Sequence, residues 1–207
     1  MRVAVLGGGN GAFITAADLA GRGHTVRIFE APEFAKALDG VKAKGGIKLE
    51  VRAGLDLPQG FFPVEATDDA GRAVEGADLI LTVVPAFGQK RFAELVGKHL
   101  RDGQVVVLSP GNFGGAVEFA RTIRESGCTG RPIIMETECM IYSGFKDGPA
   151  SCWVSGFKQG MSGAAFPASD GPQGIAVLQK VYPMCRLGHN ILETGLGNVN
   201  TVFHAPI

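Results

Sequence analysis

A glycine-rich segment near the amino terminus, residues 7–12 (GGGNGA), constrains this chain more than any other feature. It follows a short apolar run, residues 3–6, and precedes a helix-like stretch, residues 13–20. A strand, a glycine turn and a helix in this order bind a dinucleotide when the turn has the spacing G-x-G-x-x-G/A. The sequence therefore predicts a dinucleotide-binding turn, and the alternative is a glycine-rich turn without a ligand.

Each position of this motif has a predicted role. Gly7 permits the tight turn, Gly9 lets the backbone approach a pyrophosphate, and Ala12 lets the helix pack closely on the strand. Asn10 and Gly11 begin the helix, whose unpaired N–H groups and partial positive charge favour phosphate. We therefore expect all five residues to contact the cofactor.

An acidic residue, Glu30, ends the second apolar run, residues 25–29. An acid about 20 residues beyond the glycines accepts hydrogen bonds from the adenosine ribose hydroxyls. A carboxylate there repels the extra phosphate of NADP, and no Arg or Lys directly follows Glu30. The sequence thus predicts NAD, with NADP as the alternative. Without the glycine turn, Glu30 would be interpreted as a solvated charge.

Composition excludes several classes of protein. Among the 207 residues, 20 are Lys or Arg and 20 are Asp or Glu, which gives no basic footprint for nucleic acid or an acidic membrane. The amino terminus does not resemble a signal peptide, and the sequence has no segment apolar enough to span a bilayer. The four cysteines are irregularly spaced, so we expect no metal and a cytoplasmic protein with reduced thiols.

Strand-like and helix-like segments alternate, which predicts an α/β fold with a doubly wound parallel sheet of the Rossmann type. Ligands of such sheets bind beyond the carboxyl ends of the strands, here residues 85–87, 109–112 and 136–138. Glu136 and Glu138 are interpreted as solvated, with a place beside the substrate as the alternative. Strands are predicted at residues 2–6, 25–29, 46–51, 78–84, 104–108, 132–136 and 151–156, and helices at 13–20, 35–41, 68–76, 88–100, 114–126 and 172–182.

The last residues, 197–207 (GNVNTVFHAPI), combine amides with one histidine. If they are helical, Asn200 and His204 share one face, because residues four apart are neighbours on a helix. A lone histidine among apolar residues is usually a core or surface residue. This one stands beside an amide and follows a nucleotide-binding pattern.

Over essentially its whole length the chain resembles the opine dehydrogenase family. The most specific match is Asn198-Val199-Asn200 with His204. The chain departs from the family in having Ala205 between the histidine and Pro206. Further matches are Gly7-x-Gly9-Asn10-Gly11, Val83-Val84-Pro85-Ala86, and Ser109-Pro110-Gly111 with Gly114-Gly115, which many other reductases share.

The resemblance implies a second, helical domain, which we expect to be absent from this chain. The family continues well beyond the position of Ile207. We therefore expect residues 1–196 to form the dinucleotide-binding domain and residues 197–207 to begin a helical segment that leads to an absent C-terminal domain. A natural single-domain protein is the alternative.

The resemblance also implies a reaction. Members of the family reductively condense a 2-oxo acid, often pyruvate, with the amino group of an amino acid. His204 would serve as general acid and base, since an unperturbed imidazole titrates near neutral pH. Asn200 would help to hold the substrate. The partners expected are these small molecules, and a homodimer remains open.

The same resemblance places the cofactor near further residues. Val84, Pro85 and Ala86 would pack beside it, and the nicotinamide would approach Gly111 and Asn112. Two alternatives stand beside this interpretation. One is a ketopantoate-type or hydroxyacid-type reductase that needs no amine, and the other is a nucleotide-binding fragment without catalysis.

Overall fold

A computed structural model describes residues 1–198, which fall into two compact units. The first contains Met1–Val84 and Ile141–Phe157. The second contains residues 85–140 and the described residues from 158 onward. Two predicted catalytic residues, Asn200 and His204, lie outside the described residues.

The strands of the described chain are β1 (Arg2–Leu6), β2 (Thr25–Phe29), β3 (Gly46–Val51), β4 (Gly60–Pro63), β5 (Glu65–Thr67), β6 (Leu79–Thr82), β7 (Val105–Leu108), β8 (Ile133–Thr137), β9 (Tyr142–Gly148), β10 (Ser151–Phe157), β11 (Met161–Phe166) and β12 (Cys185–Leu187). The α-helices are α1 (Asn10–Gly21), α2 (Asp39–Lys44), α3 (Ala70–Val74), α4 (Ala86–Val96), α5 (Gly115–Glu125), α6 (Gly171–Leu178) and α7 (Ile191–Gly197). Short 3₁₀ helices cover Pro32–Leu38, Gly97–His99 and Ala168–Asp170.

The first unit contains two layers of strands with α1 packed against both. Parallel strands follow the order β6-β1-β2-β5, and their side chains are mostly buried apolar residues. A separate four-stranded sheet has the order β4-β3-β10-β9. Helix α1 is buried along most of its length because it contacts this smaller sheet as well as β1 and β2.

Strand β9 runs along α1 with matched spacing. The Tyr142 hydroxyl donates to Asp18 Oδ2 over 2.5 Å. Gly144 faces Ile14, and a Cβ on Gly144 would lie 2.8 Å from Ile14 Cδ1. Two strand residues rise about as far as four helix residues, so each step of two along β9 meets a step of four along α1. The next step brings Lys146 to the amino terminus of α1.

The second unit has strands in the order β7-β8-β11-β12. β7 and β8 are parallel, whereas β11 is antiparallel to β8. β8 and β11 are not joined by the crossover helix that a parallel pair requires, which accounts for the antiparallel direction. Helix α5 packs against β8, and α6 packs against β11 and β12.

The predicted fold class is confirmed: the chain is α/β with mostly parallel pairing. The predicted strands and helices all have counterparts, usually one to three residues shorter or shifted. The predicted hairpin return at 53–64 contains β4, which pairs antiparallel with β3. Five elements were not predicted from the sequence: β5, β9, β11, β12 and α7. No helix within residues 1–198 is long and apolar enough to cross a bilayer.

Candidate functional site

The turn after β1 is built around Gly7, whose φ is +122°. Its N–H donates to the Phe29 carbonyl over 2.7 Å, which ties the turn to the end of β2. A Cβ at Gly7 would lie 2.6 Å from Val83 O and 2.8 Å from Val84 Cγ1. The protein's own packing therefore requires glycine at this position.

Gly9 differs from Gly7 in having no such constraint. It precedes the first residue of α1 with an extended backbone, φ −82° and ψ −174°. Apart from Gly9 and its chain neighbours, no atom of the described residues lies within 4 Å of the position that its Cβ would occupy. The packing within the protein therefore leaves space for a Cβ at Gly9, and this open face leaves room for a ligand to approach the backbone.

Glu30 lies directly beside this turn. Its Oε1 accepts the Ala31 N–H over 2.7 Å, and its carboxylate also accepts the Gly8 N–H. A Cβ on Gly8 would lie 2.8 Å from Glu30 Oε2. Burial raises the pKa of Glu30, while the two N–H donors and the charge of Lys146 oppose that shift. The carboxylate is thus held against the glycine turn, at the end of β2.

The remaining motif residues begin α1. Asn10 does not cap the helix; its Oδ1 accepts the backbone N–H of Lys146 over 3.0 Å and anchors β9. Gly11 and Ala12 are buried in the first turn of the helix. Asn10 thereby has a structural partner that the motif did not predict.

Lys146 brings a cation to the same turn. Its Nζ lies 3.0 Å from the Gly8 carbonyl oxygen and 3.5 Å from that of Ala37. The ammonium also stands 3.7 Å from the centroid of the Phe13 ring. Burial lowers the pKa of Lys146, and the charge of Glu30 partly offsets this. Sequence analysis did not identify this residue, because β9 is polar and contains glycines, which hides its strand pattern.

In the second unit, Gly111 follows β7 and donates its N–H to Thr137 O over 3.1 Å. A Cβ on Gly111 would overlap the Glu136 side chain, with Oε2 at 2.6 Å. Glu136 is fully buried: Oε2 accepts the Ala116 N–H over 3.0 Å and Oε1 accepts the Thr194 hydroxyl over 2.7 Å. The expectation that Glu136 is solvated was wrong, because these donors satisfy it inside the unit.

The other predicted residues of this unit lie at the starts of helices and in turns. Pro85 precedes α4, and both Pro85 and Ala86 are exposed. Asn112 adopts a left-handed conformation with φ +56°, which asparagine tolerates better than most residues. Glu138 is half-buried, and its Oε1 accepts the Ser162 N–H over 3.0 Å. These contacts explain the local backbone and leave the predicted ligand roles as predictions.

Parallel strands with a glycine turn before α1 and a carboxylate after β2 define a dinucleotide-binding domain of the Rossmann type. A sequence model described as NAD-dependent glycerol-3-phosphate dehydrogenase N-terminus matches residues 2–125. The chain belongs to this family and is an N-terminal NAD-binding domain of the opine dehydrogenase type.

The chain is also similar to individual proteins in sequence or in fold. The chain is 34% identical over 201 residues to opine dehydrogenase from Arthrobacter sp. (strain 1C), covering 97% of this chain and 54% of the relative. A solved octopine dehydrogenase with NADH and L-arginine has a TM-score of 0.80 at 19% identity and covers 98% of this chain and 52% of that chain. A ketopantoate reductase from Ralstonia eutropha has a TM-score of 0.65 at 22% identity, covering 91% and 56%. The chain thus spans about half the length of the relatives it matches.

Proposed function

We propose that this chain is the cofactor-binding part of an oxidoreductase that condenses a 2-oxo acid with an amino acid by reducing their imine with NADH. The observation that carries the proposal is the 34% identity to an opine dehydrogenase over 97% of the chain. In this reaction the protein's main task is to position the imine carbon against the cofactor.

For the adenosine half of NAD, we propose the glycine turn as the binding site. The open face of Gly9 gives the pyrophosphate access to the backbone. Glu30 already accepts the Gly8 and Ala31 N–H groups, and its remaining lone pairs would accept the ribose hydroxyls. The predictions for Val84, Pro85, Ala86, Gly111 and Asn112 stay as the sequence analysis states them.

The reaction is tested by the amine dependence of NADH oxidation in the intact protein. With pyruvate as the 2-oxo acid, we expect NADH to be consumed only when an amino acid is added, and a panel of amino acids identifies the amine. His204→Ala should sharply lower turnover and leave NADH affinity nearly unchanged. Full turnover in that variant would remove His204 from the mechanism.

A second candidate is a ketopantoate-type or hydroxyacid-type reductase, which the TM-score of 0.65 to a ketopantoate reductase favours. Such an enzyme reduces a 2-oxo acid without an amine. NADH consumption at the same rate with and without amino acid would select this alternative. NADH binding without turnover under any of these conditions would select the nucleotide-binding fragment.

A further inference from the structure

We propose that Lys146 determines cofactor specificity, because its ammonium offsets the Glu30 carboxylate and lets the site accept the adenosine 2′-phosphate of NADP. The inference rests on the adenosine placement proposed above. The sequence around Glu30 favours NAD over NADP, since no basic residue directly follows it. The fold supplies the missing cation from a distant strand.

The Lys146 ammonium lies beside the glycine turn. Lys146 Nζ and the Glu30 carboxylate both contact Gly8: the lysine reaches its carbonyl oxygen over 3.0 Å, and the carboxylate accepts its N–H. Ala37, the second carbonyl partner of the lysine, belongs to the 3₁₀ helix that follows β2. The ammonium therefore stands beside the end of β2, where the adenosine ribose is placed.

The charge of Lys146 has no acidic partner close by. Within residues 1–198, the hydrogen-bond acceptors of Lys146 Nζ are two neutral carbonyl oxygens, and no carboxylate lies within 4 Å of it. Burial lowers the pKa of this lysine, because desolvation disfavours the charged ammonium. The ammonium contacts two carbonyl oxygens and the Phe13 ring, so none of these described partners carries a negative charge that balances it. A phosphate is the stronger partner, because charge-assisted hydrogen bonds exceed neutral ones.

Two contacts with α1 fix the position of Lys146. Its backbone N–H donates to Asn10 Oδ1, and its ammonium lies over the Phe13 ring. Both elements belong to α1, whose first turn carries the glycine motif. Strand β9 and the glycine turn are thus held in one register. A substitution at Lys146 that keeps the stem removes the charge and leaves the backbone anchor in place.

The test compares Lys146→Met with Lys146→Arg, and measures NADH and NADPH affinity by fluorescence titration at constant ionic strength. Lys146→Met removes the ammonium from the Phe13 ring and keeps an unbranched apolar side chain. We expect it to weaken NADPH by about tenfold or more, as the loss of a charged hydrogen bond does, and NADH by no more than about threefold. Lys146→Arg should retain most NADPH affinity. Circular dichroism establishes that both variants are folded.

A matched control is Lys48→Met, because Lys48 is an exposed lysine of the same small sheet. It changes the net charge equally and should leave both affinities unchanged. ADP-ribose and 2′-phospho-ADP-ribose repeat the comparison without the nicotinamide, and we expect the same selective loss there. That result assigns the effect to the adenosine half.

Two outcomes would overturn the inference: equal weakening of NADH and NADPH in Lys146→Met, or no change in either. Gly9→Ala separates this failure from failure of the placement itself. If Gly9→Ala weakens NADH while Lys146→Met is not selective, the cofactor lies at the glycine turn but Lys146 does not set specificity. If Gly9→Ala also leaves NADH binding intact, the adenosine placement is wrong as well.

Discussion

The two units contain the same local arrangement of a glycine and a carboxylate, but the two carboxylates have different surroundings. In each, a glycine just after one strand abuts a carboxylate at the end of the next parallel strand: Gly8 with Glu30 in the first, Gly111 with Glu136 in the second. Glu136 is fully buried and bound by Ala116 and Thr194. Its side chain is satisfied within its own unit.

Glu30 has a different environment. Glu30 is 9% exposed, and its hydrogen-bond donors among the described residues are the N–H groups of Gly8 and Ala31. Gly9, which has an open face, directly follows Gly8 in the sequence. The carboxylate keeps room to accept further hydrogen bonds. The difference in exposure is why we propose a ligand site at Glu30 and not at Glu136.

The largest expected effect is at Gly111. Gly111→Ala places a Cβ within 2.6 Å of Glu136 Oε2 and into contact with the rest of that buried side chain. Overpacking of this kind costs about 3 kcal/mol of unfolding free energy. Urea denaturation measures the loss. A change below about 0.5 kcal/mol would show that Glu136 moves freely, and the contrast between the units would fail.

The next effect separates the two carboxylates by ligand binding. Glu30→Gln removes a charged acceptor from the proposed ribose site and should weaken NADH about tenfold. Glu136→Gln should leave NADH affinity within about twofold, because its oxygens already bind the protein, and this corresponds to less than 0.5 kcal/mol. Titration of both folded variants with NADH makes the comparison. Equal weakening would place both carboxylates in ligand binding.

The pH dependence of stability provides a third comparison. Burial raises the pKa of Glu136 above its ordinary 4.5, so the folded state binds more protons than the unfolded state between those two pKa values. The unfolding free energy should therefore fall as pH rises from 4.5 through the folded pKa, and the full contribution is present only below 4.5.

Glu136→Gln should lose this part of the pH dependence, measured by urea denaturation across the acid range. The exposed Glu118 of α5 supplies the control Glu118→Gln, which should keep it. Burial also raises the pKa of Glu30, so Glu30→Gln should remove a second part of the pH dependence of the unfolding free energy. An unchanged profile in Glu136→Gln would contradict the assignment of the shift to burial.

The smallest expected effect on stability is at Gly9. Gly9 has an extended backbone, and the space at its Cβ position is open. The substitution Gly9→Ala should therefore change the unfolding free energy by less than about 0.5 kcal/mol. NADH affinity should nevertheless fall by about tenfold or more, because the methyl group occupies the path of the pyrophosphate. Loss of stability comparable to that of Gly111→Ala would remove the distinction between the two turns.

The sequence by itself determined the fold class, the glycine turn and Glu30. These features are local: a strand, a turn and a helix lie within about 30 consecutive residues in such a motif, and their periodicity is readable without knowing the rest of the chain. The resemblance to opine dehydrogenases followed from short motifs of the same kind, and the 34% identity to one such enzyme over 97% of the chain supports it.

Only the tertiary structure decided which glycine leaves space for a ligand and which carboxylate is already satisfied. It also decided that β9 brings Lys146 to Gly8 and that Asn10 anchors this strand. These contacts join residues more than 100 positions apart, and β9 is too polar and glycine-containing to be recognised as a strand. The physical reason is that burial and charge balance arise from packing between distant segments, whereas sequence periodicity reports only the neighbours along the chain.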